Sequence, residues 1–139
     1  MWFSDEMQDA YDSGFSTAIS QAGYLPLRID VKEHNNKIDD EIVLEIRRSR
    51  FVVADFTCPV FPVVGEPEPK RKAEVRGGVY FEAGLAQGLG IDVIWTVRAD
   101  RLDYVHFDTR QYAHIVWSDP ADLQNMLYKR IGATIGLRS

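Results

Sequence analysis

Residues 51–55 have the sequence Phe-Val-Val-Ala-Asp, an apolar run that ends on a carboxylate. Such a run predicts a strand of a parallel sheet that is buried on both faces, with Asp55 at its C-terminal tip. Residues 91–97, Ile-Asp-Val-Ile-Trp-Thr-Val, predict a second strand of the same kind, and residues 114–117 predict a shorter third one. Strands of this type favour an α/β fold, because parallel strands need helices to connect them.

The segments between these strands have the helical spacing of apolar residues that such a fold requires. Helices are predicted over residues 5–22, 38–48, 79–89 and 119–134. Residues 24–29 predict one more strand, which Pro26 restricts to a sheet edge or a bulge. The order of elements indicates a single domain over residues 1–139, with a flavodoxin-like, doubly wound parallel sheet of four or five strands in a three-layer α/β/α arrangement.

Two segments do not follow this simple alternation. The connection over residues 56–77 is 22 residues long and contains four of the six prolines, so we expect a long loop without regular structure. Residues 1–3 have the composition of the end of a strand and are followed at once by the first helix. We therefore expect the first strand of the sheet to be truncated.

Composition excludes several classes of protein. The 16 Lys and Arg against 21 Asp and Glu give a net charge of −5, which argues against general nucleic-acid binding. The single cysteine excludes an internal disulfide and a zinc site built on paired cysteines. No signal peptide, membrane-spanning run, phosphate-binding glycine loop or metal-ligand spacing is present. We therefore expect a cytoplasmic protein without metal or cofactor.

The tips of the predicted strands carry the candidate site. Ligands of open parallel sheets bind outside the carboxyl ends of the strands. Asp55 lies at one tip, and the Gly77-Gly78 pair precedes a helix that carries Glu82. We expect the helix N-terminus to lower the pKa of Glu82 and keep it ionised. The alternative is that Asp55 only caps a turn and Glu82 only complements the helix dipole.

Loop residues on the same edge are further candidates for binding. Asp30 is placed to bond a ribose hydroxyl and His34 to carry a proton, although a polar loop needs no such role. Arg76, just before the helix, suits a phosphate or an acidic ligand if it points inward and is otherwise a solvated charge. Asp108 either reaches the pocket or pairs with Arg110.

Two sequence stretches together resemble the nucleoside 2-deoxyribosyltransferase superfamily. They are Phe-Val-Val-Ala-Asp-Phe-Thr at 51–57 and Gly-Gly-Val-Tyr-Phe-Glu-Ala-Gly-Leu-Ala at 77–86. The resemblance implies that Glu82 attacks C1′ of a nucleoside, that Asp55 handles the base or orients the site, and that Trp2 and Phe3 line the pocket. Some members of that family have an aspartate where this chain has Arg76.

The resemblance implies N-glycosyl transfer or hydrolysis on a nucleoside or nucleotide, through a glycosyl-enzyme intermediate on Glu82. The alternatives are a TIR-like NAD hydrolase and a non-catalytic nucleotide-sensing domain. The resemblance also implies a homodimer or higher oligomer. An expected set of exposed aromatic side chains agrees with that assembly: Trp95, Tyr104, Tyr112 and Trp117.

Overall fold

The computed structural model describes residues 1–2, 4–29, 38–62, 65, 71–73, 77–106, 109 and 112–139. The first helix, α1, consists of α-helical Asp5–Asp9, π-helical Ala10–Phe15 and α-helical Ser16–Gln21. The other helices are α2 (Ile38–Arg48), α3 (Gly77–Gly88) and α4 (Pro120–Thr134). The strands are β1 (Phe51–Asp55), β2 (Val60–Pro62), β3 (Arg71–Ala73), β4 (Asp92–Arg98) and β5 (Ile115–Trp117). A 3₁₀ helix over Ala99–Tyr104 follows β4.

The main sheet has three parallel strands in the order β1-β4-β5. Asp55 is paired with Thr96, and Thr96 is paired in turn with Ile115. The prediction of an α/β fold with a parallel sheet is confirmed. The predicted strand over residues 24–29 is wrong, because a cavity separates this segment from β1 and it has no strand partner among the described residues.

The long connection after β1 contains regular structure, contrary to the expected loop. β2 and β3 pair antiparallel as a small separate sheet, with Val60 opposite Ala73 and Pro62 opposite Arg71. Pro62 lies at the end of this ladder, where its missing N–H costs least. The connection therefore contains an antiparallel pair of short strands.

Helices cover both faces of the main sheet. On one face, α1 and α4 pack over Ile94 and Trp117. On the other face, α3 packs over Trp95 and Val97 through its small residues, and α2 packs beside α3. Alternate residues of β4 thus enter two different clusters, as expected for a strand buried on both faces.

The expected exposed aromatic set is wrong, because two of its members are buried and the other two, Tyr104 and Tyr112, are half-buried. Trp95 is 8% exposed and Trp117 is 2% exposed. Trp95 is stacked between Phe56, at 5.2 Å between ring centroids, and Tyr112, at 4.5 Å. These tryptophans lie in strands that are covered on both faces, so they build the core and leave no apolar surface.

Two helix boundaries are formed as the sequence predicts. Asp119 caps α4, since its carboxylate accepts a 2.8 Å hydrogen bond from the Asp122 amide. Gly23 follows α1 with φ +93°, a conformation that suits glycine. Within the described parts of the chain, no helix combines the length and apolar character that crossing a bilayer requires.

Candidate functional site

A cavity of about 370 Å³ runs along the outer edge of β1, and we call it the β1-edge cavity. Its walls come from β1, from the segment over residues 24–29, from α1 and from the end of α2. Both predicted carboxylates, Asp55 and Glu82, line it. The structure therefore brings together the two residues that the sequence placed at the carboxyl edge of the sheet.

Glu82 reaches this cavity from α3. The residue lies beyond the first turn of that helix and is half-buried. Burial raises the pKa of the Glu82 carboxyl, and the α-amino group at Met1 opposes this in part. The expectation of a lowered pKa is wrong, because the effect of the helix dipole fades within the first turn whereas desolvation acts throughout a closed site.

Asp55 is 1% exposed and accepts three hydrogen bonds. The donors are the Thr96 hydroxyl at 2.6 Å, the Trp117 indole Nε1 at 3.0 Å and the Thr57 amide at 3.1 Å. The Thr57 bond is the turn cap that the simpler interpretation expects. The other two bonds fix the carboxylate against the sheet, so Asp55 is held in one orientation at the end of β1.

Of the remaining predicted site residues, the three that the structure describes do not line the cavity. Gly77 and Gly78 begin α3 and are exposed, and neither lines the cavity. Trp2 packs against the core cluster between α1 and α4. Five predicted residues lie outside the described part of the chain: Phe3, Asp30, His34, Arg76 and Asp108.

Several cavity residues were not predicted as site residues. Tyr11, Phe15, Tyr24 and Phe51 give the cavity aromatic walls. Tyr11 and Phe15 follow the helical spacing of α1, and Phe51 belongs to the apolar run of β1. Such positions are also typical of core residues, so the sequence does not distinguish a cavity wall from the core.

Three arginines also line the cavity: Arg28, Arg48 and Arg50. Arg28 lies over the Tyr11 ring, with 4.6 Å between its Cζ atom and the ring centroid. Arg48 and Arg50 precede β1, so they lie at the opposite end of the strand from Asp55. The cavity is therefore apolar along its walls and acidic at the carboxyl end of β1. At the other end the two arginines are accompanied by Glu45, which also lines the cavity, and Arg50 lies 4.0 Å from the Asp92 carboxylate.

No model of a protein family matches the chain, and neither a curated protein nor a solved structure does. The candidate function is therefore argued from the cavity and the residues that line it.

Proposed function

We propose that the protein catalyses N-glycosyl transfer or hydrolysis on a nucleoside or nucleotide, with Glu82 as the nucleophile. The observation that carries this proposal is that Glu82 and Asp55 line one cavity at the carboxyl end of β1. A concave, mostly apolar site with a few converging polar groups is typical of small-molecule binding. The resemblance to nucleoside 2-deoxyribosyltransferases supplies the substrate class.

The proposed reaction has two steps, each of which exchanges one bond at C1′. In the first step, a carboxylate oxygen of Glu82 forms a bond to C1′ while the C1′–N bond breaks, and the base leaves with the electron pair and takes up a proton. In the second step, a nucleobase nitrogen or water bonds to C1′ and loses a proton, and the ester bond to Glu82 breaks. This is the double displacement of retaining glycosyl transfer.

The surroundings of Glu82 suit a nucleophile that is poorly solvated. Burial raises the pKa of its carboxyl, which makes the ionised form more basic than an exposed glutamate. Activity should therefore rise with pH as Glu82 ionises.

The hydrogen bonds of Asp55 favour the orienting role over the handling of a proton. All three donors hold its carboxylate from within the protein. Asp55 is thus a positioning residue that fixes the end of β1 beside the substrate. This same observation supports the second candidate, a nucleotide-binding domain without catalysis, because it leaves Glu82 without a free carboxylate partner among the described residues.

A panel of nucleosides, nucleotides and NAD, assayed for free base, tests the proposal. The wild type should release base from at least one member, and Glu82→Ala should release it several orders of magnitude more slowly. Gln87→Ala is a matched control, because Gln87 is an exposed residue of the same helix that does not line the cavity. If no base is released but a nucleotide raises the melting temperature, the protein is a nucleotide-binding domain.

We also propose that the protein forms a homodimer through α3. The outer face of this helix carries Phe81, which is 56% exposed, and the glycines Gly77, Gly78, Gly84 and Gly88. A Cβ atom at any of these glycines would meet nothing within 4 Å. Glycine in a helix costs about 1 kcal/mol of stability relative to alanine, and one copy of the protein has room for a side chain at these positions. Close approach of a second copy would explain why glycines occupy them.

We further propose a larger sheet than the three described strands, and a cytoplasmic location. A flavodoxin-like sheet of four or five strands agrees with the parallel β1-β4-β5 order and with helices on both faces. A cytoplasmic location agrees with a nucleotide substrate and with a single cysteine, Cys58, which is buried.

A further inference from the structure

The outer edge of β1 carries backbone groups that point into the β1-edge cavity. The Phe56 amide donates a 2.8 Å hydrogen bond to the Thr96 carbonyl, which fixes the phase of the β1–β4 ladder. In a parallel pair, both backbone groups of a residue point to the same neighbour, and successive residues alternate between neighbours. The N–H and C=O groups of Phe51, Val53 and Asp55 therefore point away from β4.

These residues all line the cavity, and no described strand pairs with this edge. The cavity extends along the whole strand, from Arg50 before it to Asp55 at its end. Five residues of strand correspond to about 17 Å, and alternate residues offer a donor and an acceptor about every 7 Å. This regular spacing matches the backbone of another extended chain.

The opposite wall of the cavity is apolar and uncovered. Leu25 and Leu27 both line the cavity, and they are 93% and 62% exposed. The Tyr24 ring meets the Phe51 ring edge to face, with 5.1 Å between centroids, which holds this wall beside the start of β1. An apolar strand inserted here would pair with β1 and cover these leucines.

We propose that the β1-edge cavity binds one extended, apolar strand of another polypeptide, about five residues long. Its backbone would satisfy Phe51, Val53 and Asp55, and an acidic residue at one end would meet Arg48 and Arg50. A small molecule has no comparable row of donors and acceptors. The inference is tested separately from the proposed function, because peptide binding along β1 is measured without any release of base.

A peptide, acetyl-EVYVIVAGK-amide, labelled with fluorescein on the lysine side chain, tests this inference by fluorescence anisotropy and by hydrogen exchange of individual amides. We expect saturable binding at micromolar concentration. The amides of Phe51, Val53 and Asp55 should exchange at least about tenfold more slowly in the complex, whereas those of Val52 and Ala54, already bonded to β4, should change little. The same peptide with N-methyl groups on alternate residues should bind at least about tenfold more weakly.

Two sets of variants separate strand pairing from apolar adhesion. Val53→Pro removes an N–H that points into the cavity and spares the ladder to β4, so it should lower the peptide affinity at least about tenfold. Val53→Ala is the matched control, because it removes the same core packing of the side chain but keeps the N–H. Leu25→Ser and Leu27→Ser should weaken binding, while Leu89→Ser, an exposed leucine away from the cavity, should not.

Three results would overturn the inference. The first is no peptide binding up to about 1 mM. The second is binding that N-methylation leaves unchanged, which is a readout that holds even if Val53→Pro fails to fold. The third is protection of the Phe51, Val53 and Asp55 amides by AMP to the same extent as by the peptide, since the cavity would then be a nucleotide site along its whole length.

Discussion

The carboxylate of Asp55 accepts a 3.0 Å hydrogen bond from the indole Nε1 of Trp117, and this bond joins the first and last strands of the main sheet. The middle strand takes part as well, because the Thr96 hydroxyl donates to the same oxygen of Asp55 at 2.6 Å. All three side chains are at most 2% exposed. The carboxyl end of the sheet is therefore fixed by one buried carboxylate, and the candidate site is built on that end.

Trp117→Phe should lower the free energy of unfolding by about 1–3 kcal/mol, because it leaves a buried acceptor with one donor fewer. Thr96→Val should have a cost of the same order. Urea denaturation measures both effects. Thr96→Ser keeps the hydroxyl and should cost clearly less than Thr96→Val, whereas equal losses for Ser and Val at this position would show that the hydrogen bond contributes little.

The stability of the Glu82→Gln variant should differ from that of the wild type in a pH-dependent way. Burial raises the folded-state pKa of the Glu82 carboxyl above its unfolded value. The protonated form is thus favoured by folding, and this contribution is fully present below the unfolded pKa and lost as pH rises through the folded pKa. As pH rises through the folded-state pKa of Glu82, the wild type should lose this contribution, whereas the neutral glutamine of the variant does not titrate. The variant should therefore gain in stability relative to the wild type as pH rises, measured by urea denaturation.

A stability difference that does not change with pH, or that changes in the opposite direction, would show that Glu82 is not desolvated.

Gly84→Leu should weaken the proposed homodimer at least about tenfold, because a leucine on the outer face of α3 blocks close approach of a second helix. Sedimentation equilibrium measures the dissociation constant. Gly84→Ala provides the matched control for a single copy, where it should raise stability by about 0.5–1 kcal/mol, since its Cβ meets open space. A wild-type protein that is monomeric at micromolar concentration contradicts the dimer.

Gly23→Ala should lower the free energy of unfolding by more than Gly90→Ala does. Both glycines have positive φ, +93° and +75°, so each substitution carries a backbone cost of about 1 kcal/mol. Only at Gly23 would the new Cβ also clash with a backbone oxygen, that of Arg138. Thermal or urea unfolding of the two variants measures the difference, and equal costs would mean that the Arg138 backbone moves freely.

Local patterns predicted the elements whose structure depends on local chemistry. The apolar run of β1, the isoleucine stripe of α2 and the Asp119 cap of α4 all appear where the sequence placed them. The strand expected over residues 24–29 was wrong because pairing depends on a neighbour, and its own apolar residues say nothing about whether one is present. The β2–β3 hairpin was missed because its strands are only three residues long.

The candidate site was predictable in its position and less so in its chemistry. Parallel topology was sufficient to bring Asp55 and Glu82 to one edge. The direction of the Glu82 pKa shift was not predictable, because it depends on how deeply the finished fold buries α3. The aromatic walls of the cavity were not distinguishable from core residues, since both sets follow the same periodicity.

The central claim is that Glu82 forms a covalent bond to the sugar, and intact-mass measurement after acid quench tests it most directly. With a nucleoside or nucleotide from which the wild type releases base, the quenched wild type should gain the mass of one glycosyl group on the peptide that contains Glu82. The Glu82→Gln variant should gain none and should release base at least about 1000-fold more slowly. A glycosyl group on another residue, or base release by Glu82→Gln at the wild-type rate, would contradict the claim.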